Sequence, residues 1–250
     1  MSSIRFYAPD ICTEAVLPEV ESGHAVRVLR RRVGDELEVV DGRGGLYRCR
    51  LVGDQFRRVL FRSGDHPKAA AVEIVERIEL PKVWKPSITV AVAPTKHADR
   101  MEWLVEKLVE IGIDRFVPVR CKRSERKDFK VERVEKIAVS AMKQSLKAVL
   151  PSIEPLTTLS AFLKGCGVEG QRFVGWCDDS APRQLLAKTY TPGADVAILI
   201  GPEGDFTPEE IEECRAAGFI PVTMGDNRLR TETAALVGCD TIHIINQAFT

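Results

Sequence analysis

Two short stretches near the C-terminal end of this 250-residue chain combine residue types that can do chemistry at loop spacing. The first is IGPEGDFT, Ile200 to Thr207, which follows directly on the apolar run ADVAILI. Gly201 and Gly204 let backbone come close to a ligand, and Pro202 stiffens the turn between them. Thr207, Pro208 and Glu210 spell a capping box, so the helix that follows has a well-specified start. The second stretch is MGDNRLRTETAAL, from Met224. It brings Arg228 and Arg230 and offers Thr231 or Thr233 as the cap of a last helix. Neither stretch is a phosphate loop: the glycine fingerprints of such loops are absent, and Glu203 and Asp205 repel phosphate. A carboxylate-rich loop suits a ligand that carries positive charge or amide-like donors. Each stretch alone also reads as an ordinary turn. Their pairing at strand ends in one sheet, where open parallel sheets hold their ligands, points to a site.

The elements that must position these loops alternate between strand and helix from Ser87 onward. SITVAVAP is an apolar strand, and DRMEWLVEKLVEIG carries Met101, Leu104, Val105, Leu108 and Val109 as a helical stripe ending at Gly112. DRFVPVRC, RFVGWC, ADVAILIG and IPVTMG read as further strands. VERVEKIAVSAMKQSL, TPEEIEECRAAG and TETAALVGCDTIHIIN read as helices. This alternation predicts a parallel sheet with helices on both faces. The chain before it reads as all-β: ELEVVDG, LYRCRLVGD and RRVLFRSGD are short, apolar-rich and end in turn residues, with DGRGG as a hairpin connection. Strands at roughly ten-residue spacing suggest a small barrel. The pattern divides the chain into residues 1–70, a barrel, and 71–250, an α/β domain.

The bulk composition narrows the class. Net charge is zero, from 36 basic and 36 acidic residues, but the charges segregate. Arg115 to Lys147 holds eleven bases against four acids, and Asp195 to Glu213 holds seven acids and no base. The basic block reads as a solvated helix face or as a phosphate-binding patch, because a local patch makes the field. Seven scattered cysteines without a CxxC argue against a disulfide framework and a structural zinc site, and so for a reduced, cytoplasmic chain. No apolar run has the length of a membrane span, and the N-terminus lacks a signal-peptide core.

IGPEGDFTPEE followed by MGDNRLRTETAAL closely resembles the paired C-terminal motifs of the RsmE family, whose usual forms are GPEGGF and ILRTETA. These are SPOUT-class enzymes that methylate N3 of a uridine in the 16S ribosomal RNA of the small subunit. Weaker likenesses are HAVRVLR with GDELEVVDGRG, KHADRMEWLVEKLVEIG and AMKQSLKAVLP, so the resemblance spans nearly the whole chain. The chain departs from the pattern in two places. Asp205 stands where the family has Gly, which adds charge and removes flexibility. Met142-Lys143-Gln144-Ser145 stands where the family reads Glu-Gln-Ser, with Lys147 for the usual Arg.

The resemblance implies a PUA-like RNA-binding barrel, a C-terminal trefoil knot, S-adenosylmethionine as cofactor, a homodimer, and no metal. It implies cofactor contacts from Leu199, Ile200, Gly201, Glu203, Gly204, Met224, Gly225, Asn227, Leu229, Arg230 and Thr231. For catalysis, Arg230, with Arg228 as the second choice, is expected to face the charge that develops on the uracil ring. Glu232 is a candidate base by position and equally a carboxylate favoured by a helix start. Arg5, Arg27, Arg30, Arg31 and Arg32 of the barrel are expected to grip phosphate. Arg120, Lys122 and Arg123, with Lys96, Arg100 and Arg126, form a second candidate surface. Trp84, Trp103 and Trp176 read as packing residues. The rival readings are a SPOUT methyltransferase acting on another RNA, and a non-catalytic RNA-binding or ribosome-assembly protein.

Overall fold

The computed structural model describes residues 4–54, 69–177 and 184–249. The chain forms two compact units, Met1–Val83 with Val139–Leu150, and Trp84–Ala138 with Pro151–Thr250.

The first unit opens with β1 (Arg5–Tyr7), α1 (Ile11–Glu14), β2 (Val16–Leu17) and α2 (Glu19–Gly23), followed by a π-helical turn at His24–Val28. Then come β3 (Glu36–Val40), β4 (Gly45–Asp54) and β5 (Ala70–Glu79). The five strands form one barrel-like sheet in the order β1-β3-β4-β5-β2, antiparallel except for β1 on β3. Alternation along β4 is as the pattern requires: Tyr47, Cys49 and Leu51 are buried, Arg48 and Arg50 exposed. Their inner face joins Phe6, Ile11, Leu17, Leu37 and Val39 in one core. The DGRGG hairpin is held by Asp41, whose Oδ1 accepts from Arg43 N at 2.7 Å and Gly45 N at 2.9 Å.

Three expectations about this region need correction or limit. It is not all-β, because α1 (Ile11–Glu14), α2 (Glu19–Gly23) and the π-turn (His24–Val28) flank β2. The break read at residue 70 falls at the start of β5, which pairs along β4 and belongs to the first sheet. The strand expected at Arg57 to Asp65 lies outside the described residues.

The second unit contains β6 (Ile88–Val92), α3 (Ala98–Ile111) and β7 (Arg115–Arg120). α4 (Val131–Gln144) begins in this unit and ends in the first. There follow β8 (Ser152–Ile153), β9 (Thr157–Thr158), α5 (Leu159–Lys164), β10 (Gln171–Gly175), β11 (Gln184–Leu185), α6 (Leu186–Thr189), β12 (Val196–Ile200), α7 (Pro208–Ala216), β13 (Ile220–Thr223) and α8 (Thr231–Phe249). All described pairings are parallel, in the order β11-β13-β10-β12-β6-β7-β8, with β9 also on β7.

Every residue of β6 and of β12 is buried, the mark of a parallel strand covered on both faces. Ala91, Val117, Ala197 and Leu199 point to one side, into a core completed by Leu159, Phe162, Ile211 and Phe219 of the α5–α7 layer. α8 covers the other side over β6 and β12, with α3 and α6 beside it. α3 ends at Gly112, as its stripe predicts. Among the described residues no helix is long and apolar enough to cross a membrane.

Candidate active site

The two loops identified from sequence leave β12 and β13, and between those strands in the sheet lies β10. The residues after the C-terminal ends of these three neighbours enclose one cavity of about 850 Å³. That is the size range of a small-molecule or cofactor site. Its walls are Gly175 to Cys177 at the end of β10, Ile200 to Glu203 with Asp205, Phe206 and Pro208 at the end of β12, and Val222 to Glu232 with Ala234 around β13 and the start of α8.

The loop after β12 is braced from every side. Asp205 N donates to Pro202 O at 2.9 Å and closes a tight turn. A Cβ on Gly201 would lie 2.7 Å from the Phe206 ring, so this glycine is required by the loop's own packing rather than by a ligand. Glu203 Oε1 accepts from Lys96 N at 3.1 Å and ties the loop to the segment after β6. The capping box forms: Thr207 Oγ1 accepts from Glu210 N, and Glu210 Oε2 accepts from Thr207 N at 3.0 Å. Glu210 is buried, and its other oxygen accepts from Lys122 N at 2.7 Å.

The second loop is joined to the first by a bond that sequence reading placed elsewhere. Neither Thr231 nor Thr233 caps α8. The Arg230 carbonyl accepts from Ala234 N at 2.8 Å, the first bond of the helix, so Arg230 holds the capping position. Thr231 Oγ1 instead donates to Gly201 O at 3.1 Å, across to the other loop. Thr223 Oγ1 bonds both the N–H and the carbonyl of Gly225, holding that residue at φ 146°, in the region that glycine favours. Met224 reaches inward, its Cε 3.3 Å from where a Cβ on Gly238 of α8 would stand.

Of the expected cofactor residues, Ile200, Gly201, Glu203, Met224, Gly225, Asn227, Leu229, Arg230 and Thr231 line the cavity. Two do not. Leu199 points to the opposite face, into the α5–α7 core. Gly204 is set back behind Arg123, where an added Cβ would stand 3.2 Å from Arg123 Cβ, and does not itself line the cavity. The third wall is not legible in sequence, where RFVGWC reads only as a strand: Gly175, Trp176 and Cys177 line the cavity. Trp176 is therefore more than packing, and Arg215 lies over its ring at 5.7 Å.

Arg228 and Arg230 are exposed at the mouth and make no ion pair among the described residues. Glu232 is only 6% exposed; its Oε1 lies 3.4 Å from Arg100 Nη1, and its Oε2 is buried without a hydrogen-bond partner among the described residues. Arg100, expected at an RNA surface, thus belongs to the cavity wall.

The other expected RNA contacts divide. Arg123 is spent on the first loop, Nη1 donating to Gly204 O at 2.9 Å. Lys122 pairs with Glu209 at 3.5 Å, Lys96 with Glu125 at 3.3 Å, and Arg126 with Asp128 at 3.2 Å. Of the eleven bases in the block, Arg115, Lys122, Arg133 and Lys143 meet acids from other segments, Glu154, Glu209, Glu102 and Glu21. Arg120 is exposed at the end of β7. In the first unit Arg5 is an inward residue, its side chain 10% exposed and 3.4 Å from Glu38. Arg27, Arg30 and Arg32 are exposed, and Arg31 is half-buried.

The departures from the family pattern also have partners. Lys143 forms an ion pair with the buried Glu21 inside the first unit. Asp205 takes φ 61°, a conformation that glycine adopts freely, and lines the cavity.

The chain matches two family patterns: an RNA methyltransferase domain over residues 83–243 and an RNA methyltransferase PUA domain over residues 17–62. It is 30% identical to the ribosomal RNA small subunit methyltransferase E of Synechocystis sp., over 95% of this chain and 76% of the relative. It is similar to the crystal structure of a probable rRNA-methyltransferase from Porphyromonas gingivalis: 41% identity, TM-score 0.87, covering 99% of this chain and 100% of that one. It is also similar to a ribosomal RNA small subunit methyltransferase E from Neisseria gonorrhoeae bound to S-adenosyl methionine: 26% identity, TM-score 0.82, covering 98% of each chain.

Proposed function

The chain belongs to the ribosomal RNA small subunit methyltransferase E family, and on that premise we propose that it transfers the methyl group of S-adenosylmethionine to N3 of a uridine in 16S ribosomal RNA. The observation that carries this reading is a cavity of about 850 Å³ built by three loops on the neighbouring strands β13, β10 and β12. Its lining fits the cofactor. Ile200, Val222, Met224 and Leu229 supply apolar walls, and Glu203 supplies negative charge for a cationic ligand. When bound, S-adenosylmethionine supplies an electrophilic methyl group on positively charged sulfur.

This chain's own residues have three tasks. The loops hold the reactants in line and exclude water. A base takes the N3 proton, which frees the nitrogen lone pair, and Glu232 is the carboxylate in the cavity wall with an oxygen to spare. As the proton leaves, negative charge spreads over the two ring oxygens, and a fixed cation there lowers the barrier. Arg230 has that role in our reading, with Arg228 the second choice. The target uridine is unpaired or flipped out to reach the cavity.

Several further features rest on the family likeness. The C-terminal segment is a trefoil knot, the working unit is a homodimer, and the enzyme acts in the cytoplasm, where ribosomal RNA is found. The PUA-type unit grips RNA backbone through Arg27, Arg30, Arg31 and Arg32, and Arg120 adds a contact from the other unit. Phosphate contacts of this kind position the RNA without selecting its sequence.

The test is methyl transfer from labelled S-adenosylmethionine to small ribosomal subunits from a strain lacking this enzyme, followed by nucleoside analysis. Labelled 3-methyluridine is the expected product. Cofactor binding without transfer would move the reading to another RNA or to a non-catalytic role. No cofactor binding would overturn it.

A further inference from the structure

Asp205 is held in a way that a plain turn residue does not need. Its backbone is left-handed, at φ 61°, where an L side chain is strained and glycine is not. Its Oδ1 accepts from the next amide, Phe206 N, at 2.8 Å. This local bond aims the carboxylate, and Oδ2 then accepts from Cys177 N at 3.2 Å, 28 residues away in the chain.

The location gives that second bond its meaning. The parallel ladder between β10 and β12 ends at the pair Gly175 and Ile200. Beyond it Trp176 N still donates to Val222 O of β13 at 3.3 Å, and Trp176 and Cys177 on one side and Gly201, Pro202, Glu203, Asp205 and Phe206 on the other are two walls of the cavity. The Asp205 carboxylate spans from one wall to the other.

We propose that Asp205 is a positioning residue, a side-chain clasp that continues the β10–β12 pairing one rung past the strand ends and sets the separation of two walls of the cofactor cavity. This rests on the reading of the cavity as the S-adenosylmethionine site. Without the clasp Cys177 N loses its tie to the loop after β12, while Trp176 N keeps its bond to Val222 O, and a ligand must restore the spacing on binding. A glycine at this position relaxes the backbone but has no carboxylate. Strain relief and clasp therefore act in opposite directions, and one substitution separates them.

The experiment is calorimetric titration of S-adenosylmethionine into the full-length wild-type chain, Asp205→Gly and Asp205→Asn, with the thermal midpoint of each. Steady-state KM and kcat are measured on small subunits lacking the modification. Wild type binds. Asp205→Gly is expected to bind about tenfold more weakly, the scale of one charge-assisted hydrogen bond. Its KM for the cofactor rises in step, kcat at saturation stays within about twofold, and its thermal midpoint is not lowered. Asparagine tolerates the left-handed backbone and keeps one acceptor oxygen, so Asp205→Asn falls between the two. Wild-type binding matched by Asp205→Gly would overturn the clasp and leave Asp205 a turn residue. Should Asp205→Gly fold poorly, Asp205→Asn decides: affinity equal to wild type overturns the clasp, and an intermediate affinity with an unchanged kcat supports it. No binding by wild type would overturn the cofactor reading, and the clasp with it.

Discussion

Arg100 on the first turn of α3 and Glu232 on the first turn of α8 meet in the cavity wall, Nη1 to Oε1 at 3.4 Å. The pair leaves Glu232 Oε2 buried with no partner among the described residues. Buried polar atoms are ordinarily satisfied, and an exception calls for an explanation. A substrate N–H is one. Glu232→Gln is expected to lower kcat by about 10²-fold or more, the usual scale of general base catalysis, with cofactor affinity within about threefold of wild type. Single-turnover kinetics with a binding titration check this. A fully active Glu232→Gln would reduce Glu232 to a helix-start carboxylate.

Arg230 is exposed at the cavity mouth, and its carbonyl opens α8. Truncating the side chain leaves that backbone bond in place. Arg230→Ala should cut kcat/KM for RNA about 10²–10³-fold, the scale of one lost transition-state donor. The dissociation constant for S-adenosylmethionine should hardly change. The same substitution at Arg228 is expected to cost less, and the ranking of the two variants checks the assignment.

Seven free cysteines divide by burial, with Cys12 and Cys177 exposed and the other five buried. Native alkylation mapped by mass spectrometry should label these two alone, and excess S-adenosylmethionine should protect Cys177, which lines the cavity, but not Cys12. Burial pushes the Cys49 thiol from its ordinary value of 9.0 up to about 11. Burial, with Glu210 and Glu213 nearby, pushes Cys214 up to about 12. The folded state thus holds these protons more tightly than the unfolded one. The stability they contribute is complete below pH about 9 and is lost as pH rises through 11 to 12. The denaturation midpoint should fall over that window.

Lys143 neutralises Glu21, whose side chain is 9% exposed. Lys143→Ala strands a buried carboxylate, and a cost of about 3 kcal/mol is expected in denaturant unfolding. Adding Glu21→Gln should recover part of that loss, a coupling that a double-mutant cycle reads directly. A double-variant loss equal to the sum of the two single-variant losses would show that the pair has no net coupling.

Local signals carried far in this chain. The stripe from Met101 to Val109, the capping box of Thr207 and Glu210, and the Asp41 hairpin all depend on residues within a turn or two of each other, and all appear as read. Such features are set by backbone geometry and hydrogen bonds that close over a few residues. The short pieces β1, α1, α2, α5 and α6 were not legible, because three to six residues give too little periodicity to distinguish strand from helix.

The cavity shows the same division. IGPEGDFT and the segment after Met224 are recognisable in sequence because each needs particular residue types at fixed spacing. Their partners are not. Thr231 reaches Gly201, Asp205 reaches Cys177, Arg123 binds Gly204 and Phe206, and Arg100 meets Glu232, over separations from 28 to 132 residues. The sequence by itself determined the loops, the helix starts and the alternation that demands a parallel sheet. Only the tertiary structure decided that β13, β10 and β12 lie side by side and that Leu199 faces the far core. It also decided that Arg115, Lys122, Arg133 and Lys143 of a basic-looking block meet acids from other segments. Charge pairing and shared walls depend on distance in space, and distance in space follows from strand order, which no local pattern encodes.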